Sequence, residues 1–266
     1  PRSGGWLNSV KVVLGFLELA LALKFLSVAD LAYGWGILDR EVFICLWVVI
    51  FAMLGFYLLG KLRFSHDAPV ETVGIGRFFL SLVSLSFALY LVPGLWGAPL
   101  KGVSAFVPPL YTQDFNLYAG GQFEEFDDYD EGMAYAAEHG RPVLIDFSGY
   151  GCVNCRKMEG AVFDTQAVSS VIKENFVLIK LMVDDKTKLS SPVSVEENGK
   201  KVVLETVGDR WSYLQRYKFG ANSQPYYIVL DNSGRPLTAP AYYDENVSKF
   251  VAWLESGLKA YAEETK

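Results

Sequence analysis

The stretch Val143-Leu144-Ile145-Asp146-Phe147-Ser148-Gly149-Tyr150-Gly151-Cys152-Val153-Asn154-Cys155 decides how this chain is read. Its first five residues are a short apolar run of buried-strand type, broken by one acid. Ser148 to Gly151 turn the chain, and helical signals resume after Cys152. A cysteine at that junction meets the free N–H groups of a helix start, which stabilise a thiolate and make the thiol nucleophilic. Cys155 lies one helical turn further on, near enough to close a disulfide with Cys152 and release a mixed-disulfide partner. A Cys-x-x-Cys pair alone serves redox, zinc or structural roles. Between a strand and a helix in an alternating domain, it reads as a redox site.

Two further residues belong to the same expectation. Asp146 stands six positions before Cys152 inside an apolar strand, so its carboxyl is expected to hold its proton unusually well and to shuttle protons for Cys155. Ser223-Gln224-Pro225 runs straight into Tyr226-Tyr227-Ile228-Val229-Leu230, and a cis bond before Pro225 would set a tight turn against the site. An Asp bonded to nearby backbone and an ordinary trans proline are the competing readings.

Outward from this stretch, helix and strand signals alternate. Glu131 to Glu138 is Ala-rich and helical, and His139-Gly140-Arg141-Pro142 stops it. Helical signals return from Thr165 to Glu174 and from Asp209 to Phe219, with a strand over Phe176 to Val183 between them. Residues 186–201 are polar, contain Asn198-Gly199, and are expected to be an insertion or hairpin. Tyr226 to Leu230 is a strand, Asn232-Ser233-Gly234 turns it, and a second strand is expected near Leu237 to Tyr242. A last helix, about Asn246 to Ala262, carries Phe250, Leu254, Leu258 and Tyr261 on one face. The expected domain is α/β, a central mixed sheet flanked by helices, over 130–266.

The region before it has another character. The chain has 266 residues, 51% of them hydrophobic and 20% charged, so a disordered chain is excluded. Residues 1–100 carry a net charge of +1, and the remainder −7. Nothing is basic enough to suggest nucleic acid as a partner. Val42 to Gly60 and Phe78 to Leu100 carry no charge at all, and each is long enough to cross about 30 Å of hydrocarbon as a helix. A third apolar stretch, Val10 to Val28, is interrupted by Lys11, Glu18 and Lys24, and Glu18 is expected to face protein rather than lipid. The membrane region is therefore 1–100, with helices over about 8–28, 42–60 and 77–97. The 61–77 loop holds Lys61, Arg63 and Arg77 while the 27–41 loop holds only Arg40, which places the former in the cytoplasm and everything after Leu100 outside. Residues 101–129, with Val107-Pro108-Pro109 and Ala119-Gly120-Gly121, are expected to be an extended tether. Its acidic end, Glu124 to Glu131, is expected to be a solvated helix start.

On these residues the chain resembles the C-terminal part of a DsbD-type thiol:disulfide interchange protein: three final spans, a tether, and a thioredoxin-like domain with Asp146, Cys152-Val153-Asn154-Cys155 and Pro225. Glu159, four residues after Cys155, matches an acid that the family carries near its site. The resemblance implies a bacterial inner-membrane protein whose C-terminal domain lies in the periplasm. It implies electrons passed from cytoplasmic thioredoxin to an upstream membrane domain, then to this domain, then to periplasmic disulfide proteins. No dissociable cofactor is implied, only the Cys152–Cys155 disulfide. Tyr150-Gly151 departs from the usual aromatic-then-Cys sequence, and the membrane cysteine pair of the family is expected in upstream spans. Cys45, alone in its span, is expected to be a buried small hydrophobe.

Two rivals remain. A tethered disulfide oxidase or isomerase uses the same residues in another direction. A zinc or assembly module would use Cys152 and Cys155 as half a site, but zinc takes four ligands and the domain adds only His139. A nicotinamide or flavin enzyme is disfavoured because no Gly-x-Gly-x-x-Gly follows a strand; Gly74-Ile75-Gly76 lies beside a span.

Overall fold

The structure is a computed structural model that describes residues 3–65, 67, 69–114, 117, 124–197 and 199–264. The chain divides into two compact units, Pro1–Asp30 with Gly36–Tyr118, and Ala119–Lys266 with Leu31–Trp35.

Three apolar helices build the first unit: α1 (Ser3–Tyr33), α2 (Arg40–Leu58) and α3 (Ile75–Leu91), the last prolonged by a 3₁₀ turn at Val92–Trp96. All three are long and apolar enough to cross a membrane. Small residues let α2 and α3 approach closely. Ser81 Oγ donates to the Gly55 carbonyl at 2.9 Å and Ser84 Oγ to that of Phe51 at 2.6 Å, while Leu85 fills the space a side chain at Gly55 would need. Trp47 ties α2 to α1 through the Ala20 carbonyl. Arg77 donates to the carbonyls of Tyr57 and Leu58 at the C-terminal end of α2, where helix carbonyls run out of intrahelical donors.

Two expectations need correction here. Cys45 is exposed, because the inward face of α2 is set by Phe43, Ile44 and Trp47 and a helix turns about 100° per residue. Glu18 is exposed on α1 among the described residues, so the protein it is expected to face is not supplied by these three helices. Residues 101–114 are not an extended tether: Val103 and Val107 join the cluster of Phe43, Ile44, Leu91 and Leu100, and Arg40 donates to the carbonyls of Ala98 and Pro108. Burial of those valines outweighs the proline preference for an extended chain. Ala119-Gly120-Gly121 lies outside the described residues.

The second unit starts with β1 (Glu125–Phe126) and α4 (Tyr129–His139), followed by β2 (Val143–Ser148), α5 (Val153–Met158), a π-helical turn (Glu159–Phe163), α6 (Gln166–Asn175) and β3 (Val177–Met182). Then come β4 (Lys188–Glu197), β5 (Lys200–Thr206), α7 (Val207–Phe219), β6 (Tyr226–Leu230) and α8 (Val247–Glu264). The sheet runs β1-β3-β2-β6, parallel except for β6. One face, with Leu144, Leu178 and Val229, is covered by Met158, Ile172, Phe250 and Leu254. The opposite face, with Val143, Ile145 and Ile228, is covered by Ala136 and Trp211. Helices on both faces explain why β2 is apolar without alternation.

The acidic segment before α4 works as a cap: Asp128 accepts from the N–H groups of Asp130 and Glu131, and Gly140, at φ 62°, ends the helix. The polar insertion is the β4–β5 hairpin, turned through Gly199; Asn198 lies outside the described residues. The strand expected over Leu237 to Tyr242 does not form. Only the pairs Tyr227 with Ala241 and Leu230 with Pro236 bridge to β6, because Pro236 and Pro240 have no N–H to donate.

Candidate functional site

Cys152 caps α5. Its Sγ accepts from the Cys155 N–H at 3.1 Å and is bonded to Cys155 Sγ, the two Cα atoms standing 5.3 Å apart. The two cysteines differ in access, Cys152 being half-buried and Cys155 only 1% exposed. The loop before them is clamped by a residue that the sequence did not single out. Asp184, just past β3, accepts from the N–H groups of Tyr150 at 2.8 Å and Gly151 at 3.0 Å, and a side chain at Gly149 would crowd its carboxylate, the Cβ standing 3.1 Å from Oδ2. The Tyr150 hydroxyl reaches Asp185.

The Gln224–Pro225 bond is cis and leads into β6, whose first residue, Tyr226, pairs with Phe147 of β2. Sheet register thus brings the proline beside the strand end from which the cysteine loop departs. Gln215, fully buried in α7, fixes this turn by donating to the Ser223 carbonyl at 2.8 Å and accepting from Gln224 at 3.0 Å.

Asp146 and Glu159 meet in one cluster with two cations. In the sheet, Asp146 of β2 stands beside Lys180 of β3 on one side and opposite Tyr227 of β6 on the other. Lys180 Nζ lies 2.7 Å from Glu159 Oε1, and Arg156 Nη1 lies 2.7 Å from Glu159 Oε2. Arg156, the residue after Cys155, is only 3% exposed and also reaches Ser148 Oγ at 3.3 Å. Burial pushes the Asp146 carboxyl up to about 7; Lys180 opposes that shift, Glu159 adds to it, Arg156 opposes it and Glu125 adds. Burial also works against the Glu159 anion, yet Arg156 and Lys180 outweigh it and hold Glu159 below the usual carboxylate range. Burial likewise lifts the Tyr227 phenol well above its usual range.

Lys180 carried a sequence signal, a lone cation in the apolar run Val177 to Met182. Arg156 and Asp184 carried none, since one resembles an ordinary helix cation and the other a loop acid. Among the described residues, no group of three or more His, Cys, Asp or Glu side chains is placed to hold a metal ion.

Comparison with known proteins adds four findings. Residues 124–231 match the family described as thioredoxin-like. The chain is 28% identical over 178 residues to "Thiol:disulfide interchange protein DsbD 1" of Pseudomonas aeruginosa, an overlap of 64% of this chain and 27% of the relative. It is 25% identical over 212 residues to "Thiol:disulfide interchange protein DsbD" of Pseudoalteromonas atlantica, covering 78% and 32%. Among solved structures, a thioredoxin from Thermus thermophilus aligns with 55% of this chain and 95% of its own at 18% identity, with a TM-score of 0.40. The chain thus spans between a quarter and a third of the length of these curated relatives. Three apolar helices followed by a thioredoxin-like α/β domain, together with these relatives, support a DsbD-type C-terminal part.

Proposed function

We propose that the second unit is a protein-disulfide reductase, the terminal carrier of a membrane thiol:disulfide interchange protein, working through Cys152 and Cys155. The carrying observation is the unequal pair: a half-buried Cys152 at a helix start, bonded to a fully buried Cys155. A donor dithiol first reduces the disulfide by two electrons and is itself oxidised. The Cys152 thiolate, held by the Cys155 N–H, then attacks one sulfur of a substrate disulfide. That bond breaks, a mixed disulfide forms, and the other substrate sulfur leaves as a thiolate. Cys155 loses its proton, attacks Cys152 Sγ and closes the internal disulfide. The substrate departs as a dithiol carrying the two electrons.

Asp146 serves in this scheme as the base for the buried Cys155, since a carboxyl near pKa 7 exchanges its proton at working pH. Pro225 lies beside the cysteine loop, where it bounds the groove for a substrate strand. Family similarity and the apolar helices support a bacterial inner membrane with this unit in the periplasm, an upstream membrane domain as donor fed by cytoplasmic thioredoxin, and periplasmic disulfide proteins as acceptors. The oxidised pair itself is the redox group.

The test is trapping. In the reduced chain, Cys152 is expected to react with iodoacetamide well below the ordinary thiol pKa of about 8.5, and Cys155 more slowly. Cys155→Ala should accumulate mixed disulfides with oxidised proteins while Cys152→Ala does not. The reverse pattern would exchange the two roles, and no mixed disulfide with either variant would end the proposal.

A further inference from the structure

Two acids and two cations share a cluster in which Asp146, Arg156 and Lys180 are buried and Glu159 reaches the surface with 23% of its side chain exposed, and the geometry divides their labour. Glu159 is gripped on both carboxylate oxygens, Arg156 on one and Lys180 on the other, each at 2.7 Å. Arg156 is held in turn by Ser148 at the end of β2, so its guanidinium bridges the strand and the helix that carry the site. Asp146 is placed differently. Its Oδ1 is buried without a hydrogen-bond partner, and the charged or titratable groups around it are Lys180 of β3, Glu125 of β1, Arg156 of α5, Glu159 of the π turn and Tyr227 of β6.

We propose that Arg156 is a positioning residue that locks Glu159 as the fixed anion of this cluster, leaving Asp146 as the one carboxyl that exchanges a proton. The proposal rests on the disulfide-exchange reading only for its use, since the lock itself is a property of the folded chain. A buried ion pair that loses one member leaves a charge its neighbours must absorb. With both acids ionised the four groups sum to zero, so any single neutralisation acts directly on Asp146.

The signs follow from the charges. Arg156→Gln removes a cation, leaves the cluster at −1 with both acids ionised, and should shift the Asp146 titration upward by roughly one pH unit. Glu159→Gln removes an anion and should shift it downward by a similar amount. The double variant restores neutrality and should bring Asp146 back close to its starting value. Arg156→Lys keeps the cation and should leave Asp146 close to the wild-type value. A role confined to packing would weaken stability in these variants without opposite shifts.

The measurement uses the full chain in lipid nanodiscs, with carbon-13 at the side-chain carboxyls of aspartate and glutamate. Asp146→Asn and Glu159→Gln assign the two resonances. The wild type is expected to show Asp146 titrating near neutral pH, and Glu159 without an inflection between about pH 5 and 9. If Arg156→Gln fails to fold, Glu159→Gln and Arg156→Lys still decide the matter. A Glu159 inflection near neutrality, or equal Asp146 titrations in wild type and Glu159→Gln, would overturn the lock. Reduction of a disulfide-bonded protein is followed on the same samples. Its absence in the wild type with the opposite shifts intact would remove the functional reading and leave the lock standing.

Discussion

At the scale of single residues, the site depends on an acid kept where an anion is unwelcome. Asp146 has an unfolded pKa of 3.8 and a folded one of about 7, so the folded chain binds its proton more tightly than the unfolded chain does. The two states bind it equally well below pH 4, and the penalty for ionising it in the fold grows as pH rises to 7 and stays in full above that. Asp146→Asn is therefore expected to stabilise the domain at about pH 8, by on the order of 3 kcal/mol, and to change little at about pH 4, as read from denaturant midpoints at the two pH values. Equal effects at both would show that Asp146 does not carry this proton. Asp146, the cysteine pair and Pro225 could be singled out in the sequence because each breaks a local pattern: an acid in an apolar strand, two thiols one turn apart, a proline at a strand start. Asp184 could not, because the N–H groups it accepts from lie on a loop far back in the chain, and Arg156 could not, because its pair with Glu159 three residues on reads as an ordinary helix-surface pair until the fold buries the guanidinium.

At the scale of elements, apolar periodicity and end signals located nearly every helix and strand, since these signals are local. Misreadings arose where a local preference met a tertiary one. Prolines 236 and 240 stripped donors from an apolar run that otherwise reads as a strand. Val103 and Val107 folded a proline-rich segment onto the three helices. The link from α7 to the cis-proline turn was equally invisible, because Gln215 and Gln224 are ordinary polar residues until the fold buries one against the other. Gln215→Ala is expected to destabilise the domain by about 2 kcal/mol, since it leaves the Gln224 side chain and the Ser223 carbonyl without their buried partner. It should also slow disulfide exchange while leaving Cys152 alkylation near its normal rate. An unchanged exchange rate in a measurably destabilised variant would confine Gln215 to structure.

At the scale of the whole molecule, the expected orientation puts the 61–77 loop in the cytoplasm and the second unit outside, and it can be read with single cysteines. His66 and Asn198, natural probe sites, lie outside the described residues; Ser65 and Ser194 are described and exposed. In intact cells, with Cys45→Ser and the Cys152–Cys155 pair oxidised, an impermeant thiol reagent should label Ser194→Cys at once and Ser65→Cys only after the membrane is opened. Labelling in the opposite order would reverse the orientation and, with it, the route for electrons. The central claim is that the Cys152–Cys155 pair hands two electrons to a protein disulfide, and its most direct measurement is a single-turnover count. The full chain in lipid is reduced with a small dithiol, freed of it, and mixed with a disulfide-bonded protein under anaerobic conditions. One substrate disulfide should be reduced for each Cys152–Cys155 pair re-formed, and none by Cys152→Ala. Reduction that persists in Cys152→Ala, or a substrate left fully oxidised by the reduced wild type, would contradict the account.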